Sequence, residues 1–196
     1  QRHQRQLLVD DDDANVFAVP AGARVVQSVD YLPALVEDPY LFGRIAALHS
    51  FSDLFAMGAE PSHALVTALH PFAAKDVTRG RLYQLLSGVL HELRRMGATL
   101  AGGHTAEGSV TALAVTATGF LSRQPLRKRG LQNGQALILT KPLGTGVIFA
   151  ARMRLRARAE WVDAALESML LSNQASSAIL RAHGATGCTD VTGFGL

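Results

Sequence analysis

The chain is poor in cysteine, short of aromatic residues and free of long apolar runs, and each shortage excludes something. Cys188 is the one cysteine among 196 residues, so no disulfide forms within the chain and no thiolate set is available for zinc. That usage fits a reducing compartment. The seven histidines are scattered and never fall at His-x-x-x-His spacing. No apolar stretch approaches the roughly 18 residues of a membrane span, and Gln1 to Gln6 lacks the apolar core of a signal peptide. A cytoplasmic protein without a membrane partner is expected. Neither G-x-x-x-x-G-K-[ST] nor G-x-G-x-x-G occurs, so the usual nucleotide loops are missing. Tyr and Phe are sparse beside the two basic clusters, Arg123/Arg127/Lys128/Arg129 and Arg152/Arg154/Arg156/Arg158. Nucleic-acid surfaces interleave basic residues with aromatics, so both clusters read as solvated surface and no nucleic-acid partner is expected. The chain begins without Met and stops directly after a turn motif, which reads as part of a longer protein.

What is present is 48% hydrophobic and 18% charged, the balance of a globular protein with one large or two smaller domains. Arg24 to Val29 is a β-branched strand followed by Asp30, and Asp38-Pro39 offers a helix N-cap with Pro in the first turn. The helical stripe from Phe42 to Phe55 ends at Gly58. Ala64 to Leu69 is a second strand, Thr78 caps a helix that Gly97 closes, and Ala112 to Phe120 is a further strand. Residues 1–121 then form a first domain, 122–135 a polar, basic, glycine-containing linker, and 136–196 part of a second domain. In that part Ala136 to Thr140 is expected as a strand, with helices from Gly144 towards Met153, from Glu160 to Leu171 and from Ser176 to His183. The long intervals between strands select mixed α/β.

The aspartates carry most of the chemical information. Asp10, Asp11, Asp12 and Asp13 form an unbroken run, Asp30 follows a strand, Asp53 lies inside a helix, and Asp190 sits in T-D-V-T-G-F-G. Mg²⁺ takes oxygen ligands and bridges one or two carboxylates to substrate phosphates, so carboxylates spread in this way suit a magnesium–phosphate site. Taken alone, an acidic run is usually a solvated loop. Gly102-Gly103-His104-Thr105 reads either as a tight turn or as backbone that approaches a phosphate closely. In T-K-P-L-G-T-G, from Thr140 to Gly146, the glycines can present amides at a helix N-terminus, while Lys141 faces either phosphate or solvent. Cys188 reads as a small, buried hydrophobe rather than a nucleophile.

In order, D-D-A-N-V-F (Asp12–Phe17), Q-S-V-D-Y-L (Gln27–Leu32), V-E-D-P-Y-L-F-G-R-I-A-A (Val36–Ala47), S-D-L-F-A-M-G-A-E-P (Ser52–Pro61), L-A-G-G-H-T (Leu100–Thr105), T-K-P-L-G-T-G and T-D-V-T-G-F-G-L (Thr189–Leu196) span nearly the whole chain. Together they resemble selenophosphate synthetase (selenide, water dikinase), and the wording around Glu107-Gly108 and Gly184 to Thr189 resembles longer members fused to a pyridine-nucleotide-disulfide oxidoreductase-like module. The resemblance implies an aminoimidazole ribonucleotide synthetase-like α/β domain that dimerises, followed by the start of a second α/β domain. It implies an ATP-dependent enzyme that converts selenide and water to selenophosphate, AMP and phosphate. It places Mg²⁺ ligands at Asp13, Asp53 and Asp190, and nucleotide contacts at Asp30 and Asp53. Asp10, Asp11 and Asp12 fall on a backbone-contact segment, and Gly103, His104 and Thr105 on a phosphate-side one.

Two departures accompany the resemblance. Nothing in Gln1 to Val9 matches the family's segment with a catalytic cysteine or selenocysteine and a nearby lysine, so no catalytic residue is assigned in this chain. The acidic and glycine positions that many members carry after G-G-H are replaced around Val110 to Ala114. Another ATP-dependent enzyme of the superfamily (a thiamine-phosphate kinase or a purine-synthesis enzyme) and a catalytically silent nucleotide-binding or dimerisation module are the alternative readings.

Overall fold

Alternating exposure along β1 (Arg24–Pro33) turns Val26, Ser28, Asp30 and Leu32 to one side of a sheet and Val25, Val29 and Tyr31 to the other. The computed structural model describes residues 14–193 and Gly195; Asp10, Asp11, Asp12 and Asp13 lie outside the described residues. After β1 come α1 (Pro39–Ala56), β2 (Glu60–His70), α2 (Lys75–Met96), β3 (Thr99–Glu107) and β4 (Ala112–Leu121), then α3 (Thr145–Met153), α4 (Ala159–Met169) and α5 (Gln174–Ala182). The four strands form one mixed sheet in the order β1-β4-β2-β3, with β1 and β3 at its edges. β2 and β3 run parallel, joined by α2, and β4 runs antiparallel to both β1 and β2. This is the mixed α/β class expected from the strand spacing. No helix among the described residues is long and apolar enough to cross a membrane.

Helix α1 starts where Asp38-Pro39 predicts, with Asp38 Oδ1 accepting a bond from the Leu41 amide at 2.8 Å. Phe42, Ile45, Phe51, Leu54 and Phe55 are buried almost completely against the sheet residues Val66, Leu113, Val115 and Ala117 and the α2 residues Leu85, Val89 and Leu93. Both helices approach unusually closely. A Cβ on Gly43 of α1 would lie 2.1 Å from the Leu85 carbonyl oxygen of α2, and one on Gly88 would lie 2.0 Å from the Tyr40 carbonyl oxygen of α1. Beside that crossing, Arg44 of α1 meets the buried Glu92 of α2 at 2.6 Å. α2 begins at Lys75, one turn before Thr78, and ends as expected at Gly97, which is left-handed with φ 77°.

Residues 122–144 form neither helix nor strand, which corrects the strand expected at Ala136 to Thr140. A strand needs a partner for its ladder, and this stretch has none among the described residues; Leu137 and Ile138 are 83% and 70% exposed. Lys141 resolves differently from both readings of it. Its Nζ donates to the Ser168 and Leu171 carbonyls (3.3 and 2.8 Å), satisfying the C-terminal end of α4.

Helix α5 docks on the C-terminal end of α1 through a polar seam. Asn173 Nδ2, Ser177 Oγ and the Arg181 guanidinium, four residues apart, donate to Ser52 Oγ (2.9 Å), the Phe55 carbonyl (2.6 Å) and the Gly58 carbonyl (2.8 Å), three apart. Gln174 Nε2 adds a bond to the Met96 carbonyl at the end of α2 (3.2 Å).

Candidate functional site

Strand periodicity puts Ser28 and Asp30 on the helix-facing side of edge strand β1, and helix periodicity puts His49 and Asp53 one turn apart on α1. Ser28 donates its hydroxyl to the Asp53 carboxylate, joining the two elements. Asp190 reaches the same neighbourhood from the last described segment, which is held by a bond from the Cys188 amide to the Arg127 carbonyl (3.2 Å) and by one from Gln135 Nε2 to Thr186 Oγ1 (2.8 Å). Asp30, Asp53 and Asp190, distant in sequence, thus share one half-buried electrostatic environment.

That environment disfavours negative charge. Burial, offset in part by His49 and reinforced by Asp53 and Asp190, holds the Asp30 carboxyl above its ordinary range. Asp190 is raised first by burial and then by Asp53, with the Ser52 hydroxyl, its own backbone and His49 acting the other way. Asp190 Oδ2 is buried and has no hydrogen-bond partner among the described residues. Ser50 Oγ, fully buried on α1, lies near enough to Asp30 to ease its charge slightly, yet makes no well-aligned hydrogen bond. Buried polar atoms are rarely left unpaired, and mutually repelling carboxylates with an orphaned oxygen suit a hard divalent cation. Among the described residues no three Asp, Glu, His or Cys side chains form a preassembled ligand cluster. Mg²⁺ keeps waters and substrate phosphates in its shell, so a site for it need not be an all-protein cage.

The structure does not bring Gly103, His104 and Thr105 to these aspartates within one chain. They are paired residues of β3, exposed on the far edge of the sheet, rather than a turn. Gly103 is glycine because a Cβ there would meet the Val66 carbonyl oxygen at 2.0 Å. Asp30, Val115, Val66 and Gly103 form one row across the four strands, three inter-strand spacings or about 14 Å. On the helix side the middle of that row is sealed, with Val115 0% and Val66 3% exposed. A shallow depression of about 240 Å³ lined by Gln27, Ser28, Val29 and Thr116 lies beside Ser28; it is too small for a whole nucleotide.

Burial and then Asp190 raise the Cys188 thiol, which leaves it a weak nucleophile at neutral pH. Sequence reasoning missed Ser28, His49, Ser50, Ser52 and Asn173. The first four were accessible from spacing: Ser28 lies two residues from Asp30 on a strand, and the others lie within one turn of Asp53 on a helix.

A parallel β2-α2-β3 unit, an antiparallel β4 beside it and β1 paired to β4 at the edge, with aspartates gathered beside α1, define a mixed α/β domain of known kind. The family model for AIR synthase related protein, N-terminal domain, matches residues 11–121, and the chain belongs to that family. Curated relatives at 36–40% identity carry the name selenide, water dikinase. One, from Pelobacter propionicus, is 36% identical over 185 residues, covering 94% of this chain and 53% of its own length. The chain therefore spans about half the length of the curated relatives it matches. Among solved structures, a thiamine-monophosphate kinase from Stenotrophomonas maltophilia superposes with a TM-score of 0.75 at 23% identity, over 92% of this chain and 62% of that one. AaThiL complexed with AMPPCP and TMP superposes at 0.68 and 17%, over 91% and 59%. These likenesses concern the fold.

Proposed function

We propose that this chain carries the ATP- and magnesium-binding part of an enzyme that makes selenophosphate from selenide, water and ATP, releasing AMP and phosphate. The observation that carries the reading is the convergence of Asp30, Asp53 and Asp190 beside α1, with Asp190 Oδ2 buried and unpaired among the described residues. The names of the curated relatives and the ATP analogue bound in a protein of the same fold support it. Asp53 and Asp190 would hold Mg²⁺, together with Asp13, which lies outside the described residues; Asp30 would contact the nucleotide. When bound, the metal supplies the positive charge that lets phosphates approach carboxylates. Ser28 fixes the orientation of Asp53, and His49 moderates the local negative charge. Selenide handling is assigned to no residue of this chain. A cytoplasmic location belongs to the same proposal.

The reading includes a homodimer. The sheet face away from α1 and α2 exposes Val25, Val29, Tyr31 and Leu65 (47%, 63%, 59% and 45%), an apolar surface suited to a second copy. Because Gly103–Thr105 lie at the opposite edge from Asp30, with the intervening helix face sealed, a nucleotide touching both sets draws them from two copies.

Calorimetric titration with Mg-ATP tests the site. Asp53→Asn is expected to abolish measurable binding in a folded protein, and wild-type affinity in that variant would remove Asp53 from the site. Phosphorus NMR tests the reaction: full-length protein with ATP, magnesium and selenide is expected to give a selenium-coupled product signal. The 196-residue chain alone is expected to bind Mg-ATP weakly and to give none.

A further inference from the structure

We propose that Asn173 is a positioning residue for the metal–nucleotide site, acting through the Ser52 hydroxyl on Asp190; the inference rests on the site reading above. Asn173 occupies the N-cap position of α5, where an Asn side chain normally accepts from amides of the first turn. Here it caps nothing. The Gln174 amide bonds to Ser172 Oγ instead (3.1 Å), and the Asn173 amide nitrogen is turned across to Ser52 Oγ at 2.9 Å. Of the three seam residues spaced four apart on α5, Ser177 and Arg181 reach backbone carbonyls, and Asn173 alone reaches a side chain.

That side chain stands at the site. Ser52 is 2% exposed, adjoins Asp53 in sequence, and its hydroxyl is one of the groups that ease charge on Asp190. A serine hydroxyl has one proton and two lone pairs. An N–H donated by Asn173 occupies a lone pair and leaves that proton to point at a carboxylate. The first helix of the family domain and the segment bearing Asp190 are thereby held in register by a residue from a third element.

The test uses the full-length protein and the variants Asn173→Ala, Asn173→Asp and Ser177→Ala. Thermal midpoints are read without ligand, and binding of a non-hydrolysable ATP analogue is titrated with Mg²⁺. Asn173→Ala and Ser177→Ala each remove one seam bond and should lower the midpoint alike. Asn173→Ala is expected to raise the Mg²⁺ concentration for half-maximal binding about 5-fold, the size of one neutral hydrogen bond, while Ser177→Ala stays within about 2-fold. Asn173→Asp keeps the shape but loses the donor and adds negative charge, so it should be impaired at least as much as the alanine variant. Equal Mg²⁺ requirements in Asn173→Ala and Ser177→Ala, or a wild-type requirement in Asn173→Asp, would overturn the positioning role while leaving the site in place. A wild-type protein that binds no Mg-nucleotide would overturn the site reading, and this proposal with it.

Discussion

Ser28 on edge strand β1 donates its hydroxyl to the carboxylate of Asp53 on α1, and this bond ties the sheet to the aspartate that α1 brings to the site. Ser28→Ala removes it without adding bulk. The expected result is a loss of about 1 kcal/mol of stability, or about 2–4 °C in thermal midpoint, together with weaker Mg-ATP binding. Calorimetry showing unchanged affinity would mean that Asp53 holds its orientation without Ser28.

The aspartate cluster should cost stability when no metal is bound. Asp30 and Asp190 both sit above their ordinary value of 3.8, so the folded state binds more protons than the unfolded one above that value. Stability then falls as pH rises from 3.8 through the raised pKa values, and is level beyond them. Asp190→Asn is expected to raise the thermal midpoint in magnesium-free buffer at neutral pH while weakening Mg-ATP binding. A lowered midpoint with intact binding would show that Asp190 has a structural role instead.

His63 gives the opposite slope near neutrality. Burial lowers its pKa from 6.5, and its ring lies 4.1 Å from that of Phe17. The unfolded chain therefore takes up a proton first on acidification, and stability is lost as pH drops through 6.5 until the folded-state value is reached. Melting curves between pH 8 and pH 5 should show a shallower decline for His63→Phe than for wild type, beneath the opposite trend of the carboxylates.

At the α1–α2 crossing, Gly88→Ala is expected to cost about 3 kcal/mol, because its Cβ would lie 2.0 Å from the Tyr40 carbonyl oxygen. Gly80→Ala on the same helix meets nothing within 4 Å and should gain about 1 kcal/mol from helix propensity. Chemical denaturation of the two variants separates close approach from propensity; equal effects would refute the contact.

Local signals were legible where chemistry is local. Asp38-Pro39 and Gly97 mark helix ends by capping and left-handed geometry, and both stand where expected. Ala136 to Thr140 shows the opposite: an apolar run satisfies strand propensity, but none of the described residues pairs with it. Gly102-Gly103 leaves a tight turn and a phosphate-side backbone both open, because sequence does not reveal the neighbouring strand that Gly103 must clear. The aspartates were recognisable singly and by family resemblance. Their electrostatic coupling across Asp30, Asp53 and Asp190 depends on tertiary packing, as does Asn173, whose residue type is common on any surface.

The row from Asp30 to Gly103 has a genetic consequence if two copies build each site. A chain carrying Asp30→Asn and a chain carrying His104→Ala would each be defective alone. In a mixed dimer one composite site would gather both lesions, and the other would gather neither. Co-expressing the two defective alleles should therefore restore function that neither supplies by itself.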